Sequence, residues 1–112
     1  MAYEVNGKTV DCTADGYLES VNDWDLDVAQ AIADDEELPM TDKHWDVVNY
    51  LRGEHVDNGG NEPNERGISK AMGKVWGSKV SSKEMYEMFP GMPSKQGRKI
   101  AGLPKSTRKG GY

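Results

Sequence analysis

Apolar and polar residues alternate at the start of the chain, then change to a spacing of three and four. Tyr3-Glu4-Val5 and Lys8-Thr9-Val10 are short alternating runs. Asn6-Gly7 between them suits the positive dihedrals of a two-residue turn, so the pattern predicts a β-hairpin. After a second turn at Asp15-Gly16, Trp24, Val28, Ala31 and Ile32 recur at helical spacing, with Asn22 or Asp23 as the cap. The acidic run Asp34 to Glu37 meets the negative end of that helix dipole, so the helix should fray there, before Leu38-Pro39.

Thr41 opens the second helix, with Asp42 in its first turn and an inner face of Trp45, Val48, Leu51 and His55 or Val56. Asp57 to Pro63 has the chemistry of a loop. Asn64 to Val75 reads as a third helix, with Ile68, Ala71, Met72 and Val75 inward and Arg66, Lys70 and Lys74 outward; Gly67 and Gly73 weaken it, so packing must hold it. Ser81 or Ser82 caps a short helix over 83–88, with Met85, Met88 and Phe89 facing the core. Beyond Gly91-Met92-Pro93, Ser94 opens a basic helix anchored by Ile100. Ala101-Gly102 ends it, and Pro104 cannot continue it. The expected core is Trp24, Trp45, Val48, Leu51, Ile68, Met72, Met85, Phe89 and Ile100. These elements make a mainly α (α+β) fold, with one domain over residues 1–103 and a flexible basic arm over 104–112.

Charge changes this picture more than composition does. The chain has 112 residues, 36% hydrophobic and 29% charged, which suits one globular domain with a modest core. No apolar run approaches the roughly 18 residues of a membrane span. The start lacks the basic and apolar regions of a signal peptide, so the expected location is the cytoplasm, with no membrane partner. The net charge of −5 divides unequally. Residues 1–57 hold 15 Asp and Glu against 3 Lys and Arg, a charge of −12; residues 58–112 hold 4 against 11, a charge of +7. The basic half can meet an anionic partner.

The candidate chemistry is sparse. Cys12 is the only cysteine, at the end of a predicted strand among acids that raise a thiol pKa, which reads as a structural thiol. His44 and His55 share no helical turn, and neither has a Cys or carboxylate at ligand spacing. Asp23, Asp25, Asp27 and the run at 34–37 lack the rhythm of a calcium loop, and Gly59-Gly60 lacks the ending of a phosphate loop. No catalytic residue, metal site or cofactor is therefore expected, and the chain reads as a non-enzyme. The residues suited to partner contact are Arg66, Lys70 and Lys74 on the domain, and Arg98, Lys99, Lys105, Arg108 and Lys109 toward and along the arm.

Several short motifs, in order, resemble one family. They are Gly16-Tyr17-Leu18, Asn22-Asp23-Trp24, His44-Trp45-Asp46, Asn49-Tyr50-Leu51-Arg52, Lys70-Ala71-Met72-Gly73-Lys74, Tyr86-Glu87-Met88-Phe89-Pro90 and Ala101-Gly102-Leu103-Pro104-Lys105. Together they resemble the DsrC/TusE family of sulfur-relay proteins linked to dissimilatory sulfite reductase and tRNA thiolation. The resemblance implies an N-terminal β-hairpin packed on an orthogonal bundle of about five short helices. It also implies an arm whose penultimate cysteine carries sulfur as a persulfide, with a second cysteine upstream in some members. Here the upstream position is Arg98 and the terminal one falls at or beside Lys109. The resulting expectation is a non-catalytic binding or regulatory protein that docks on sulfur-relay or sulfite-reductase partners without carrying sulfur. One alternative is a nucleic-acid-binding regulator with a helix-turn-helix-like basic face, meeting DNA or tRNA. The other is a sulfur-relay component in which Cys12 or a partner thiol substitutes. The oligomeric state is left open.

Overall fold

Asn6 and Gly7 take φ values of 51° and 80° and close a two-residue turn between β1 (Ala2–Val5) and β2 (Lys8–Asp11). In this computed structural model, which describes residues 2–104, the strands pair antiparallel with Tyr3 opposite Val10 and Val5 opposite Lys8. Val5 and Val10 are buried, and the hairpin packs against α1 (Leu26–Asp35). The cap of α1 is Asp25, not Asn22 or Asp23. Those two lie in a short 3-10 turn, Val21–Asp23, and the Asp25 carboxylate accepts from the Val28 N–H at 2.8 Å. Trp24 is thereby left outside the helix in an extended conformation. The acidic run ends α1 as its charge requires: Glu37 turns to φ 56°, and Leu38 N–H donates to Ala33 O.

Thr41 caps α2 (Asp42–Asp57), where Thr41 N–H donates to His44 Nδ1 at 3.1 Å. His44 Nε2 meets Met88 O at 2.8 Å, so the tautomer that serves both contacts carries its proton on Nε2. His44 is a buried structural tie between α2 and α4 (Ser82–Met88). The buried stripe of α2 is His44, Val47, Val48 and Leu51. Trp45 packs at its margin, and Val56, 68% exposed, is not part of it. In α3 (Glu65–Trp76), Ile68 and Met72 are buried, whereas Val75 is 62% exposed. Trp76 decides the orientation of that last turn. Its Nε1–H donates to Asp46 Oδ2 at 2.8 Å, which ties α3 to α2 and leaves Val75 on the outside.

The helix α5 (Pro93–Ile100) touches each of α1, α2, α3 and α4. It was expected as a basic helix anchored by Ile100 with Arg98 and Lys99 offered for contact, yet Pro93, Ser94, Gln96, Gly97 and Arg98 are buried as well as Ile100. Several of its polar groups have fixed partners, although Arg98 Nη1 is buried without one among the described residues. Glu65 Oε1 accepts from Ser94 N–H at 2.6 Å, placing a carboxylate at the positive end of the helix. Gln96 Oε1 accepts from Gly91 N–H, and Tyr17 O–H reaches Lys95 O. Gly97 sets the distance between α5 and α2, because a Cβ there would lie 3.0 Å from Leu51 Cδ1 and 3.7 Å from Val47 Cγ1. Phe89, Leu51, Ile68, Met72, Met85 and Ile100 form the centre as expected, joined by Val47, Ile32 and Leu103.

Among the described residues the architecture is thus a hairpin on five α-helices. The arm expected over 104–112 lies, beyond Pro104, outside the described residues. No helix among the described residues is long and apolar enough to cross a membrane.

Two glycines of similar helical setting should respond in opposite ways. A Cβ at Gly53 meets nothing within 4 Å. Gly53→Ala is therefore expected to stabilise the fold by roughly 0.5–1 kcal/mol. Gly97→Val forces two branches against Leu51 and Val47 and should cost about 1–3 kcal/mol. Urea denaturation of both variants beside the parent checks this, and equal midpoints for all three would contradict it.

Candidate functional site

Three places gather chemically distinctive side chains. The first is the end of α5, where the chain leaves the domain. Leu103 N–H donates to Arg98 O and Gly102 N–H to Lys99 O, with Gly102 at φ 70°, so the helix closes in a Schellman motif. The next two carbonyls are met from far off in sequence. Trp24 Nε1–H donates to Ile100 O at 2.8 Å, and Arg52 Nη1 donates to Ala101 O at 2.7 Å. The Arg52 guanidinium lies over the Trp24 ring, 4.0 Å from its centroid. Arg98 Nε–H donates to Pro104 O at 2.9 Å. Desolvation pulls the pKa of both arginines down, and the Glu62 and Tyr17 charges act back on Arg98. This clamp holds the chain to the domain as far as Pro104.

The second place holds the only thiol. Cys12 pairs with Leu18 in an isolated bridge and is buried. It lines a small pocket of about 160 Å³ with Tyr3, Gly16, Asp35, Glu36 and Lys99. The Lys99 ammonium sits 3.4 Å from Glu36 Oε1 and 5.4 Å from the Tyr17 ring centroid. Burial pushes the Cys12 thiol up, as do the carboxylates of Asp35, Glu19 and Asp11. Burial also raises the Tyr3 phenol, whose O–H donates to Gly16 O at 2.7 Å. Protons are thus held on both groups at neutral pH.

The third is an open groove of about 720 Å³ along α3. Arg66, Lys70 and Lys74 stand four residues apart, on one helix face, and line it. Ser69, Gly73, Gly77, Ser78, Lys79, Val80 and Ser82 also line it, and Glu65, buried and bound to the Ser94 amide, closes one end as its single acid. The segment after α3 comes close because Gly73 has no side chain; a Cβ there would be 3.2 Å from Ser78 O.

The structure therefore separates the residues singled out for partner contact. Arg66, Lys70 and Lys74 come together and are exposed. Arg98 does not join them: it is 4% exposed and turned inward to Pro104, which removes it as a surface contact. Lys99 is engaged by Glu36. Lys105, Arg108 and Lys109 lie outside the described residues. Sequence reasoning missed Arg52, Glu65 and the ring of Trp24 as partners of α5. No periodicity marks them, since each acts on a carbonyl or amide many residues away.

Two expectations follow. Gly102→Ala strains a positive φ and drives a methyl into the Trp24 ring, at a cost of about 1–3 kcal/mol from the backbone alone. It should also change tryptophan fluorescence; an unchanged spectrum and melting temperature would contradict it. For Cys12, the thiolate is the reacting species. Its alkylation should keep rising with pH after that of the urea-unfolded chain has levelled off above its ordinary pKa of about 8.5. Superimposable folded and unfolded pH profiles would contradict this.

Comparison with known proteins places these features in a family. The family model described as DsrC like protein matches residues 4–108. Sulfurtransferase TusE of Yersinia pseudotuberculosis is 37% identical over 106 residues, covering 94% of this chain and 97% of the relative. The NMR structure of Allochromatium vinosum DsrC superposes with a TM-score of 0.87 at 39% identity, covering 96% of both chains. The oxidised gamma-subunit of the dissimilatory sulfite reductase from Archaeoglobus fulgidus gives a TM-score of 0.89 at 33% identity, covering 96% and 98%. These findings bear out the resemblance and the fold. They overturn the expectation of a non-enzymatic docking protein without sulfur cargo, because relatives of near full length carry the name of a sulfurtransferase. That expectation rested on two positions, Arg98 in α5 and one at or beside Lys109, whereas the likeness runs through the whole fold. From hairpin to arm base, the chain belongs to the family of DsrC-like proteins.

Proposed function

We propose that this chain is a component of sulfur relay, taking sulfane sulfur from a persulfide-bearing protein partner and passing it to an acceptor thiol. The observation that carries this reading is its 37% identity to a sulfurtransferase across 94% of its length. The proposed setting is the reducing cytoplasm, where a lone thiol stays free. Lys105, Arg108 and Lys109 are proposed to meet an acidic surface of the partner.

Cys12 is the chain's only thiol, so sulfur held covalently by the chain is held there. The chemistry balances without an oxidant. The Cys12 thiolate attacks the outer sulfur of the donor persulfide, a new S–S bond forms, and the donor leaves as a thiolate. An acceptor thiolate then attacks that outer sulfur, and Cys12 leaves as a thiolate. The adjoining pocket offers room for the added sulfur, with the Lys99 ammonium on its wall. Burial makes the first step slow at neutral pH.

Incubation with a persulfide-loaded donor protein, followed by mass spectrometry of the intact chain, tests the reading. One added sulfur atom is expected, absent from Cys12→Ser, with onward transfer to an acceptor thiol and a rate that increases with pH. No adduct and no onward transfer, even in alkaline buffer, would sink it.

A further inference from the structure

We propose that the groove along α3 is a docking site for an extended acidic peptide segment of a protein partner. Arg66, Lys70 and Lys74 form a single row of exposed cations, and Lys79 faces the same groove. Among the described residues, none of these four makes an ion pair or a side-chain hydrogen bond, whereas Lys99 is paired with Glu36. Like charges left in a row repel one another and stay available to an anion.

The spacing selects the shape of that anion. Steps of four residues along a helix advance about 6 Å. Alternate side chains on one edge of an extended strand repeat every ~6.8 Å. Three carboxylates at alternate positions of an extended segment therefore fall opposite Arg66, Lys70 and Lys74 in turn. The chain's own last eight residues cannot serve, since they hold Lys105, Arg108 and Lys109 and no acid.

A long polyanion is a poorer fit than a short peptide. The first 57 residues carry −12. A nucleic acid extending past the groove would feel that field beyond the local row of cations, whereas a segment of a few carboxylates ends within it. The inference is independent of the relay chemistry, because binding is read with no sulfur donor present.

Fluorescence anisotropy with a labelled peptide of alternating glutamate and alanine tests it on the full chain. Binding is expected at low salt, weakening toward about 150 mM salt. The double variant Lys70→Glu, Lys74→Glu should lose affinity by about tenfold or more. Lys8→Glu, on the hairpin away from the groove, should bind as the parent does. Thermal melts confirm that the variants fold, which the exposure of all three lysines favours. No binding at low salt, equal loss in Lys8→Glu, or tighter binding of a single-stranded oligonucleotide than of the peptide would overturn the proposal. So would self-association of the chain abolished by the same double variant, since the groove would then belong to a second copy.

Discussion

A helix with few apolar side chains lies at the centre of this protein, and the elements around it are bound by what it needs. Along α5 only Pro93 and Ile100 are apolar, yet six of its eight residues are buried. Buried polar groups cost free energy unless they are partnered. Three of its neighbours therefore supply a specific group: Glu65 from α3 to the Ser94 amide, Tyr17 from the loop after the hairpin to Lys95 O, and Arg52 from α2 to Ala101 O. Shape complements this. Gly97 lets the backbone come so near Leu51 that even a methyl group there would crowd it. Close approach and polar pairing depend on each other, because the hydrogen bonds from α2 and α3 reach only while α5 sits at that depth.

How much of this was legible in the sequence follows from the nature of each interaction. Local chemistry read through well. Asn6-Gly7 could be recognised as a turn, Thr41 and one of Ser81 and Ser82 as caps, and Ala101-Gly102 as a helix end, because each is decided by residues within a few positions. Apolar periodicity found Leu51, Ile68, Met72 and Phe89. It failed at Val75 and Val56, where Trp76 and the His44 stripe determine how the helix is turned. It failed most at α5, since a polar pattern signals exposure only when no distant partner exists, and those partners are 29 to 78 residues away.

The candidate site shows the same division. The cationic row of α3 could be read from spacing alone. Arg98 could not, because the carbonyl that holds it inside follows a reversal of the chain at Gly102. The thiol at Cys12 was visible as a letter, but its pocket joins the hairpin, the end of α1 and α5. The sulfur chemistry proposed for Cys12 would therefore fall at a place which no contiguous motif describes.

The ties between Trp24 and Ile100 and between Tyr17 and Lys95 close the chain over 76 and 78 residues. Helical domains of this size generally fold fast because most of their contacts are local. Here the central helix cannot shed its water until segments near the two ends of the domain have found each other. The entropy of that long closure comes first, and its reward follows. The consequence is kinetic: closing so long a loop around α5 should make this mainly helical chain fold more slowly than helical domains whose contacts are local.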